Sequence, residues 1–497
     1  MNSSTFFTTL GGNTYLYDAN NMCMLNMHPI VELIHFYYQD NNVDSNQGLF
    51  DYVLSKYPDT DRCEIQYYLE KYNFIKASGF FNSLEVKQLL SGKVTAQVVE
   101  AQLANLDNIV FQVTNDCNFR CKYCCYGELY NRTTHESVTK YMDWDMVKTF
   151  FEYIIPYWNS SGNLADEHKI IIGFYGGEPL LNFPLVEKIV NFCKDLESKT
   201  KFVFTFSMTT NAMLLNKYAQ YLVDNNVKLL ISLDGNAKNN QLRVDNNDQP
   251  TFQRVFNGIK RLQTEYPEYF EKRVEFNSVL NKHSTTEEIH QFIFSEFGKT
   301  TLIEPISIVE QNIDRKNEFD QIVQPFFETL ETTKQRREKS SVFKSLGGFF
   351  YYNLNNSYKH YSEIMYFSKK KQKKIPTGTC LPFYKKMFIL AHGDILACER
   401  ISMQHTLGKI DQTVQLDFDW IAEKYNHLFE TINKQCISCH FADTCSECLF
   451  QLRFINKTPV CPKQSGEREY RQYLGTMFSI LENQPSFFEE INKTVFA

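Results

Sequence analysis

The chain has 497 residues, of which 43% are hydrophobic and 22% are charged, and this length predicts two to four globular domains. Its formal net charge is −6 at pH 7 and no apolar run approaches the length of a membrane span, so neither nucleic acid nor a membrane is an expected partner. Because the N-terminus lacks the pattern of a signal peptide, we expect a cytoplasmic protein whose 14 cysteines bind metal instead of forming disulfides.

Residues 1–104 carry turn and helix signals but no obvious catalytic pattern. The run TYLYDANNMCMLNMH predicts a β-hairpin with its turn at residues 18–21. Pro29 then begins a helical pattern, since proline fits the first turn of a helix. Two more helices are expected, around residues 61–72 and 83–90.

Strand-like runs alternate with amphipathic helical patterns between residues 105 and 300. The predicted strands cover residues 109–113, 169–175, 202–209, 228–233 and 273–279. The predicted helices cover residues 143–158, 184–197, 216–225 and 252–263. This alternation indicates an α/β fold with βαβ units and a parallel sheet, in which side chains that follow the strands gather at one edge.

Three cysteines in the run TNDCNFRCKYCCYG follow the first of these predicted strands: Cys117, Cys121 and Cys124. At this spacing, three thiolates can hold a cubane iron–sulfur cluster and leave its fourth iron without a protein ligand. Such an iron is open to a bidentate small molecule. A zinc site can have the same spacing, so the three cysteines alone leave both metals open.

The cysteine run resembles the C-x3-C-x2-C signature of the radical S-adenosylmethionine (SAM) superfamily. Three further segments resemble that family and follow in its order, namely FYGGEPLL at 174–181, SMTTNAMLL at 207–215 and LLISLDGN at 229–236. The resemblance implies a partial TIM-like (β/α)6 barrel over residues 105–300, with an iron–sulfur cluster whose open iron is chelated by SAM.

The same resemblance implies which side chains contact SAM. Tyr123 would lie against the adenine, and Glu178 would accept a hydrogen bond from the ammonium group. Gly176 and Gly177 would let the backbone approach the methionyl group closely. Contacts to the ribose and the carboxylate are expected from Asn211, Ser232, Asp234 and Arg243.

The remainder of the chain is predicted to divide into three parts. Residues 301–375 would form a helical bridge. The lysine-rich run at 369–374 would be a solvated loop, and an electrostatic contact with an acidic peptide substrate is the alternative. Residues 376–465 hold a second group of cysteines. Residues 466–497 would form a C-terminal helical segment.

This second group has the pattern C-x12-G-x4-C, then C-x2-C-x5-C-x2-C, then a last cysteine. The pattern resembles the SPASM extension of radical SAM enzymes, which implies two auxiliary four-iron four-sulfur clusters. By that resemblance, one cluster is held by Cys436, Cys439, Cys445 and Cys461. The other is held by Cys380, Cys398 and Cys448. Either a non-cysteine group completes the second cluster or one of its irons stays open.

Glu399 directly follows Cys398. In sulfatase-maturating relatives an acidic residue beside the corresponding cysteine acts as a base, so the resemblance makes Glu399 a candidate general base. A surface carboxylate without a catalytic role is the alternative.

The layout of residues 1–104, a hairpin followed by helices, resembles the leader-peptide recognition elements of peptide-modifying radical SAM enzymes. The leading hypothesis is therefore maturation of a ribosomally made peptide by a thioether or carbon–carbon crosslink. The implied partners are a precursor peptide with a leader and an external reductant such as flavodoxin or ferredoxin. An anaerobic sulfatase-maturating enzyme, which makes formylglycine, is a second hypothesis. A non-catalytic binding protein stabilised by zinc is a third.

Overall fold

The computed structural model describes residues 3–18, 23–41, 46, 48–83, 93–131, 139–165, 168–323, 376, 378–437, 439, 445, 447–455, 458–461, 467–483 and 485. Within these ranges, no helix combines the length and the apolar character needed to cross a membrane. The predicted turn at 19–21, the helix at 84–90 and the lysine-rich run at 369–374 lie outside the described residues.

The N-terminal unit is an antiparallel sheet of order β1-β2-β3 covered by helices. Its strands are β1 (Ser4–Thr8), β2 (Thr14–Asp18) and β3 (Cys23–Met27), and its helices are α1 (Pro29–Asn41), α2 (Leu49–Lys56) and α3 (Arg62–Ala77). The predicted hairpin strands and the helix beginning at Pro29 are confirmed. The predicted helix at 61–72 is α3, in which the Asp61 side chain caps the N-terminus by accepting the Glu64 N–H at 2.8 Å.

Parallel strands separated by helices follow, as the sequence predicts for residues 105–300. The strands are β4 (Asn108–Thr114), β5 (His168–Gly176), β6 (Phe202–Thr210), β7 (Lys228–Ser232), β8 (Val274–Leu280) and β9 (Thr301–Pro305). The helices are α4 (Ala96–Ala104), α5 (Trp144–Trp158), α6 (Phe183–Glu197), α7 (Leu215–Asp224), α8 (Phe252–Glu265), α9 (Pro267–Arg273), α10 (Thr286–Phe297) and α11 (Lys316–Ile322). The α/β class with a parallel sheet is therefore confirmed.

Residues 301–305 correct one expectation. The sequence predicts that they begin the helical bridge, but they form strand β9, which pairs in parallel with β8. Residues 324–375 of the predicted bridge lie outside the described residues. The run TLIEP is too short to give a recognisable strand pattern. It becomes a strand because it pairs with the exposed edge of β8.

The C-terminal part extends the same sheet. Its strands are β10 (Met387–Ile389), β11 (Asp394–Leu396), β12 (Gly408–Ile410), β13 (Val414–Gln415), β14 (Arg453–Ile455) and β15 (Thr458–Val460). Strand β10 pairs in parallel with β4, so that β4 to β13 form a ten-stranded sheet within the described residues. The helices are α12 (Phe418–Cys436) and α13 (Glu467–Asn483), and α13 agrees with the predicted C-terminal helical segment.

The two faces of the parallel sheet have different surroundings. In β6, Phe202, Phe204, Phe206 and Met208 are buried in the main core. The alternate residues of β6 face the opposite side and are only partly buried or exposed. Because side chains alternate along a strand, the sheet has one face packed in the core and one open face.

Helix α13 packs against the N-terminal unit. Arg471 forms an ion pair with Glu32 of α1, and the Ser479 hydroxyl accepts a hydrogen bond from the Leu10 N–H at 2.7 Å. The rings of Phe478 and Phe7 lie 5.3 Å apart between centroids. The two ends of the chain thus share one interface.

Candidate active site

The first cysteine group lies in a loop that begins directly after β4. Cys117, Cys121 and Cys124 are all partly exposed. The loop is compact, because the Cys124 N–H donates to the Cys121 carbonyl at 3.0 Å and the Gly127 N–H donates to the Cys124 carbonyl at 2.7 Å. The three sulfurs are therefore presented by one short segment at the carboxyl end of a parallel strand, where barrel enzymes place their reactive groups.

The Cys117 sulfur accepts hydrogen bonds from its surroundings. The Phe119 N–H donates to it at 3.4 Å, and the Asn211 side-chain amide lies 3.7 Å from it. The same amide donates to the Asn118 side chain at 2.7 Å. Burial raises the pKa of the Cys117 thiol to about 12, which disfavours the thiolate in the metal-free chain. Donors of this kind stabilise the negative charge of a cluster sulfur.

Glu178 joins the ends of two neighbouring strands. Its carboxylate is completely buried and accepts hydrogen bonds from the Leu180 N–H at 3.1 Å, the Thr210 hydroxyl at 2.8 Å and the Asn211 N–H at 2.8 Å. Burial raises the pKa of Glu178 to about 7. Glu178 thereby positions Asn211 beside the cysteine loop, and its contact with SAM remains a prediction.

Gly176 and Gly177 allow a close approach of two backbone segments. Gly176 has φ +140°, and a Cβ on it would lie 2.0 Å from the Thr114 carbonyl oxygen. A Cβ on Gly177 would lie 2.0 Å from the Asp116 carbonyl oxygen. No side chain fits in either place, so these glycines let the end of β5 pack directly against the start of the cysteine loop.

Three of the predicted SAM residues form one buried network. Arg243 donates to Asp234 through Nε at 3.0 Å and through Nη2 at 2.9 Å, and the Tyr123 hydroxyl donates to the same carboxylate. The Val279 N–H also donates to Asp234, at 2.9 Å. Burial raises the pKa of Cys121, and a hydrogen bond from Arg243 opposes that shift. The network therefore connects β7 and β8 to the cysteine loop.

Ser232 is the last residue of β7 and lies opposite Asn277 of β8 in the sheet register. Asn277 Oδ1 is buried and has no hydrogen-bond partner among the described residues. Sequence reasoning missed Asn277, because an asparagine inside a strand pattern carries no signal of its own. An orphaned acceptor beside Ser232 suits a ligand that donates hydrogen bonds.

Sequence reasoning also missed Tyr175, which lies two residues before Gly177. Burial raises its pKa, and Cys125, Glu399 and Cys124 raise it further. The Tyr175 ring also contacts the Phe388 ring of β10, with 5.8 Å between the ring centroids. Cys125, for which the sequence offered no role, is one of its neighbours.

Glu399 lies in an ion pair at the end of the β10–β11 hairpin. Lys386 Nζ lies 3.1 and 3.2 Å from its two carboxylate oxygens, and the Cys398 thiol donates to it at 3.3 Å. Burial raises the pKa of Glu399, but Lys386 and Arg400 outweigh burial and lower it overall. The carboxylate is ionised and can accept a proton, although Lys386 weakens its basicity.

The second cysteine group is predicted to hold two clusters. Burial raises the pKa of Cys436 to about 12, and the other contributions to this shift come from Cys445, Cys439 and Cys461. The pKa of the buried Tyr425 is raised well above its usual value by burial, and Cys448, Cys380 and Cys398 add to that shift. The division of these cysteines between two clusters stays a prediction.

Within the described ranges, no three His, Cys, Asp or Glu side chains converge on a point that could hold a single metal ion. A structural zinc requires sulfurs about 2.3 Å from one centre. Cluster ligands each bind a different iron and lie farther apart.

Comparisons with known proteins identify the domain around the first cysteine loop. A family model described as the radical SAM superfamily matches residues 111–294. The chain is 34% identical over 160 residues to an uncharacterized protein of Methanocaldococcus jannaschii, MJ0907, covering 32% of this chain and 49% of that protein.

Two further relatives are enzymes. The chain is 28% identical over 178 residues to the radical SAM cyclopropyl synthase TigE of Paramaledivibacter caminithermalis, covering 34% of each protein. It is 27% identical over 197 residues to a cysteine-type anaerobic sulfatase-maturating enzyme of Clostridium novyi, covering 38% of this chain and 48% of that enzyme. The chain thus spans about half the length of these relatives or less.

The fold is similar to that of native anSMEcpe with bound AdoMet and the Cp18Cys peptide. The TM-score is 0.54 at 16% identity, and the match covers 78% of this chain and 99% of that one. At this identity the likeness shows the fold alone. Together with the parallel sheet and the family match, it leads to one conclusion: the chain contains a radical SAM domain, whose family uses SAM and a four-iron four-sulfur cluster.

Proposed function

We propose that this chain is a radical SAM enzyme that modifies a ribosomally synthesised precursor peptide, installing a thioether or a carbon–carbon crosslink. The observation that carries the proposal is the three-cysteine loop at the carboxyl end of β4, inside the radical SAM domain. When bound, the cluster and SAM supply a 5′-deoxyadenosyl radical that abstracts a hydrogen atom from the peptide. The residues of the chain hold these cofactors, exclude water and place the substrate.

Polar groups at this edge of the sheet support a SAM site. The carbonyl oxygen of the Asn277 side chain is orphaned beside Ser232, and a ribose hydroxyl would supply the missing donor. Glu178 and Asn211 lie beside the cysteine loop. The amino acid part of SAM would bind near them and reach the open iron. We propose that Tyr123, Asp234 and Arg243 hold the cysteine loop in place. Their direct contacts to SAM stay predictions.

The open face of the sheet supports a peptide substrate. Ile171 of β5 and Leu302 of β9 lie on this face and are 38% and 40% exposed. Three strands of the sheet separate these two residues, and we propose that the open face as a whole accepts the peptide, with its carboxyl-end edge leading to the cysteine loop.

The N-terminal unit supports recognition of a leader. Within the described residues, β3 pairs with β2 and leaves its other edge unpaired. An unpaired edge can accept an extended peptide as an additional strand, with main-chain hydrogen bonds supplying affinity. The unit has its own core, which includes Leu16, Ile34 and Leu69, so a leader could bind without disturbing the barrel.

The C-terminal cysteines would hold two auxiliary clusters, one on each set. We propose Glu399 as the general base for the substrate, because Lys386 and Arg400 favour its ionised form and the Cys398 thiol donates to it at 3.3 Å. An external reductant such as flavodoxin or ferredoxin would supply electrons.

The first experiment measures metal content and product. We expect the anaerobically reconstituted chain to hold about twelve irons, as three four-iron clusters require. Incubation with SAM, reductant and short peptides encoded beside its gene should give a peptide lighter by two hydrogens, detected by mass spectrometry. Fragmentation should locate a crosslink between two residues.

The outcomes distinguish the alternatives. Formylglycine carries an aldehyde that a hydrazide reagent captures and a crosslink does not, so a captured product would favour the sulfatase-maturating function. Bound zinc in place of iron would contradict the enzyme hypothesis. SAM cleavage without any change in the peptide would contradict the proposed substrate.

Leader recognition has its own test. A variant limited to residues 93–461 lacks the N-terminal unit together with α13, which packs on it. It keeps the Val94 backbone contacts to the Asn426 side chain, both at 2.8 Å. We expect it to lose affinity for the leader but to cleave SAM at the original rate. Unchanged leader affinity would show that the N-terminal unit has another role.

A further inference from the structure

The main sheet has a seam between its two ends. Strand β9 is the last strand at one end, and within the described residues its far edge has no backbone partner. Strands β10 to β13 lie at the other end, beyond β4. Side chains nevertheless join the two ends, because Glu304 of β9 forms an ion pair with Arg400, which follows β11. The sheet therefore curls until its ends meet, and side chains hold them together in place of a strand ladder.

Glu304 is directed toward the open face of the sheet. Its neighbour Ile303 packs against the main core, so Leu302 and Glu304 point to the opposite side. The side chains of Arg400 and Glu304 are 52% and 34% exposed. The ion pair thus lies on the face that we propose for the peptide.

Glu310 makes a second contact across the seam. Its carboxylate accepts a hydrogen bond from the Ser402 hydroxyl at 2.5 Å, and its carbonyl accepts one from the Asn131 N–H at 2.8 Å. Ser402 is buried. Glu310 has φ +60°, a left-handed conformation that is unfavourable for residues other than glycine. Such a conformation persists where the surrounding contacts fix it, and here it joins three separate segments of the chain.

Both contacts hold the turn that carries the candidate base. This turn comprises residues 399–402, and we call it the Glu399 turn. Lys386 pairs with Glu399 itself, at 3.1 Å. The second residue of the turn is held by Glu304 and the last residue by Glu310. We propose that Glu304 and Glu310 are positioning residues that fix the Glu399 turn against the peptide, an inference that rests on the proposed function.

The value of these contacts is geometric. An exposed ion pair contributes little to overall stability, but a general base must lie within hydrogen-bond reach of the proton that it accepts. Lys386 precedes β10 and so belongs to the same end of the sheet as the Glu399 turn. Glu304 and Glu310 come from the opposite end. Their contacts therefore set the distance between the turn and the strands β5 to β9, along which the peptide would lie.

The segment 304–312 also contacts the chain that follows the first cysteine loop. The Asn312 N–H donates to the Leu129 carbonyl at 2.9 Å, and the Tyr130 hydroxyl donates to the Ser307 carbonyl at 2.8 Å. One short segment thus contacts both this chain and the Glu399 turn. The positions of the radical source and of the base are linked through it.

The test uses the full-length reconstituted chain with SAM, reductant and the peptide substrate found in the first experiment. E304A and E310A each remove one contact, whereas E310Q keeps an acceptor for the Ser402 hydroxyl. The matched control is E271A, which removes an ion pair between Glu271 and Lys299 at 3.2 Å. Lys299 lies two residues before β9, so this control changes the other end of the same strand.

We expect E304A and E310A to lower the rate of peptide crosslinking about tenfold or more, because a misplaced catalytic group reduces the rate steeply. SAM cleavage without peptide should continue at the original rate, since it does not use the base. Hydrogen exchange should rise in the Glu399 turn of both variants. E310Q and E271A should match the original chain in all three measurements.

S402A removes the donor of the second contact. Its loss of crosslinking should equal that of E310A, and the double variant should lose no more than either single variant. Additive losses would show that the two side chains act separately and would overturn the role of Glu310.

Unchanged crosslinking in E304A or in E310A would overturn the inference while leaving the proposed function intact. A parallel loss of SAM cleavage without peptide would overturn it as well, because the defect would then lie outside the Glu399 turn. If the original chain forms no crosslink, the proposed function fails, whereas hydrogen exchange still reports whether the two glutamates hold the turn.

Discussion

The Asp234–Arg243 pair gives a quantitative test of how the cysteine loop is held. Arg243→Met removes a buried guanidinium that makes hydrogen bonds of 3.0 and 2.9 Å to Asp234. The carboxylate would stay completely buried with donors but no counter-charge. Removing one partner of a buried pair costs about 3–5 kcal/mol, so we expect the local free energy of opening to fall by that amount.

A double variant separates the pair from its surroundings. Asp234→Asn removes the charge and keeps one acceptor oxygen, which can serve the Val279 N–H, while the new amide N–H can donate to the Tyr123 hydroxyl. Combined with Arg243→Met, it leaves no unpaired charge in the interior, and removing both charges of a buried pair is often close to neutral. We therefore expect the double variant to be more stable than R243M by about 2 kcal/mol or more.

Hydrogen exchange read by mass spectrometry is the suitable assay, because it reports the opening of β7 and β8 peptides separately from the N-terminal unit. Iron retained in the presence of a chelator is the second readout, since Arg243 also contacts Cys121. Opening free energies of R243M within about 1 kcal/mol of the original chain would refute the reasoning. The reasoning would also be refuted if the double variant lost as much opening free energy as the two single variants lose together.

Three further predictions concern the same edge of the sheet. Gly177→Ala would place a Cβ 2.0 Å from the Asp116 carbonyl oxygen, and we expect a loss of about 1–3 kcal/mol in thermal unfolding together with weaker iron retention. Folding raises the pKa of Glu178 from 4.5 to about 7. The stability that this shift gives the folded chain is fully present below pH 4.5 and is lost as the pH rises through 7, which lowers the free energy of unfolding by about 3 kcal/mol. The stability of the metal-free chain relative to Glu178→Gln should therefore decrease between pH 5 and 8, and a constant difference would contradict the burial argument. Asn211→Ala removes the amide near the Cys117 sulfur, at 3.7 Å, and should make the reduction potential of the first cluster more negative in a redox titration.

The sequence predicts those parts of the fold that local patterns decide. The run FVFTFSMTT of β6 alternates apolar and polar residues, and the sequence reasoning placed that strand to within one residue of its end. The cysteine run after β4 is likewise read from a short segment, and it lies inside the region that matches the radical SAM family model.

Features that depend on distant segments could not be predicted in this way. Tyr425 has the sequence context of an ordinary core residue of an amphipathic helix, and nothing local indicates that its buried hydroxyl has no hydrogen-bond partner among the described residues. Asn277 and Tyr175 acquire their surroundings from neighbouring strands. Strand β9 and the pairing of β10 with β4 are decided by exposed sheet edges that only the assembled fold provides.

The pairing of β10 with β4 also constrains the biosynthesis of this protein. Residue 389 at the end of β10 is separated from residue 114 at the end of β4 by 275 positions. At about 5–20 residues per second, the ribosome needs roughly 14–55 s to deliver the partner strand. During this interval the edge of β4, which directly precedes the first cysteine, is open to pairing with other chains. Nascent or prematurely terminated chains would therefore be prone to aggregation at this strand, and insertion of the first cluster would compete with that process.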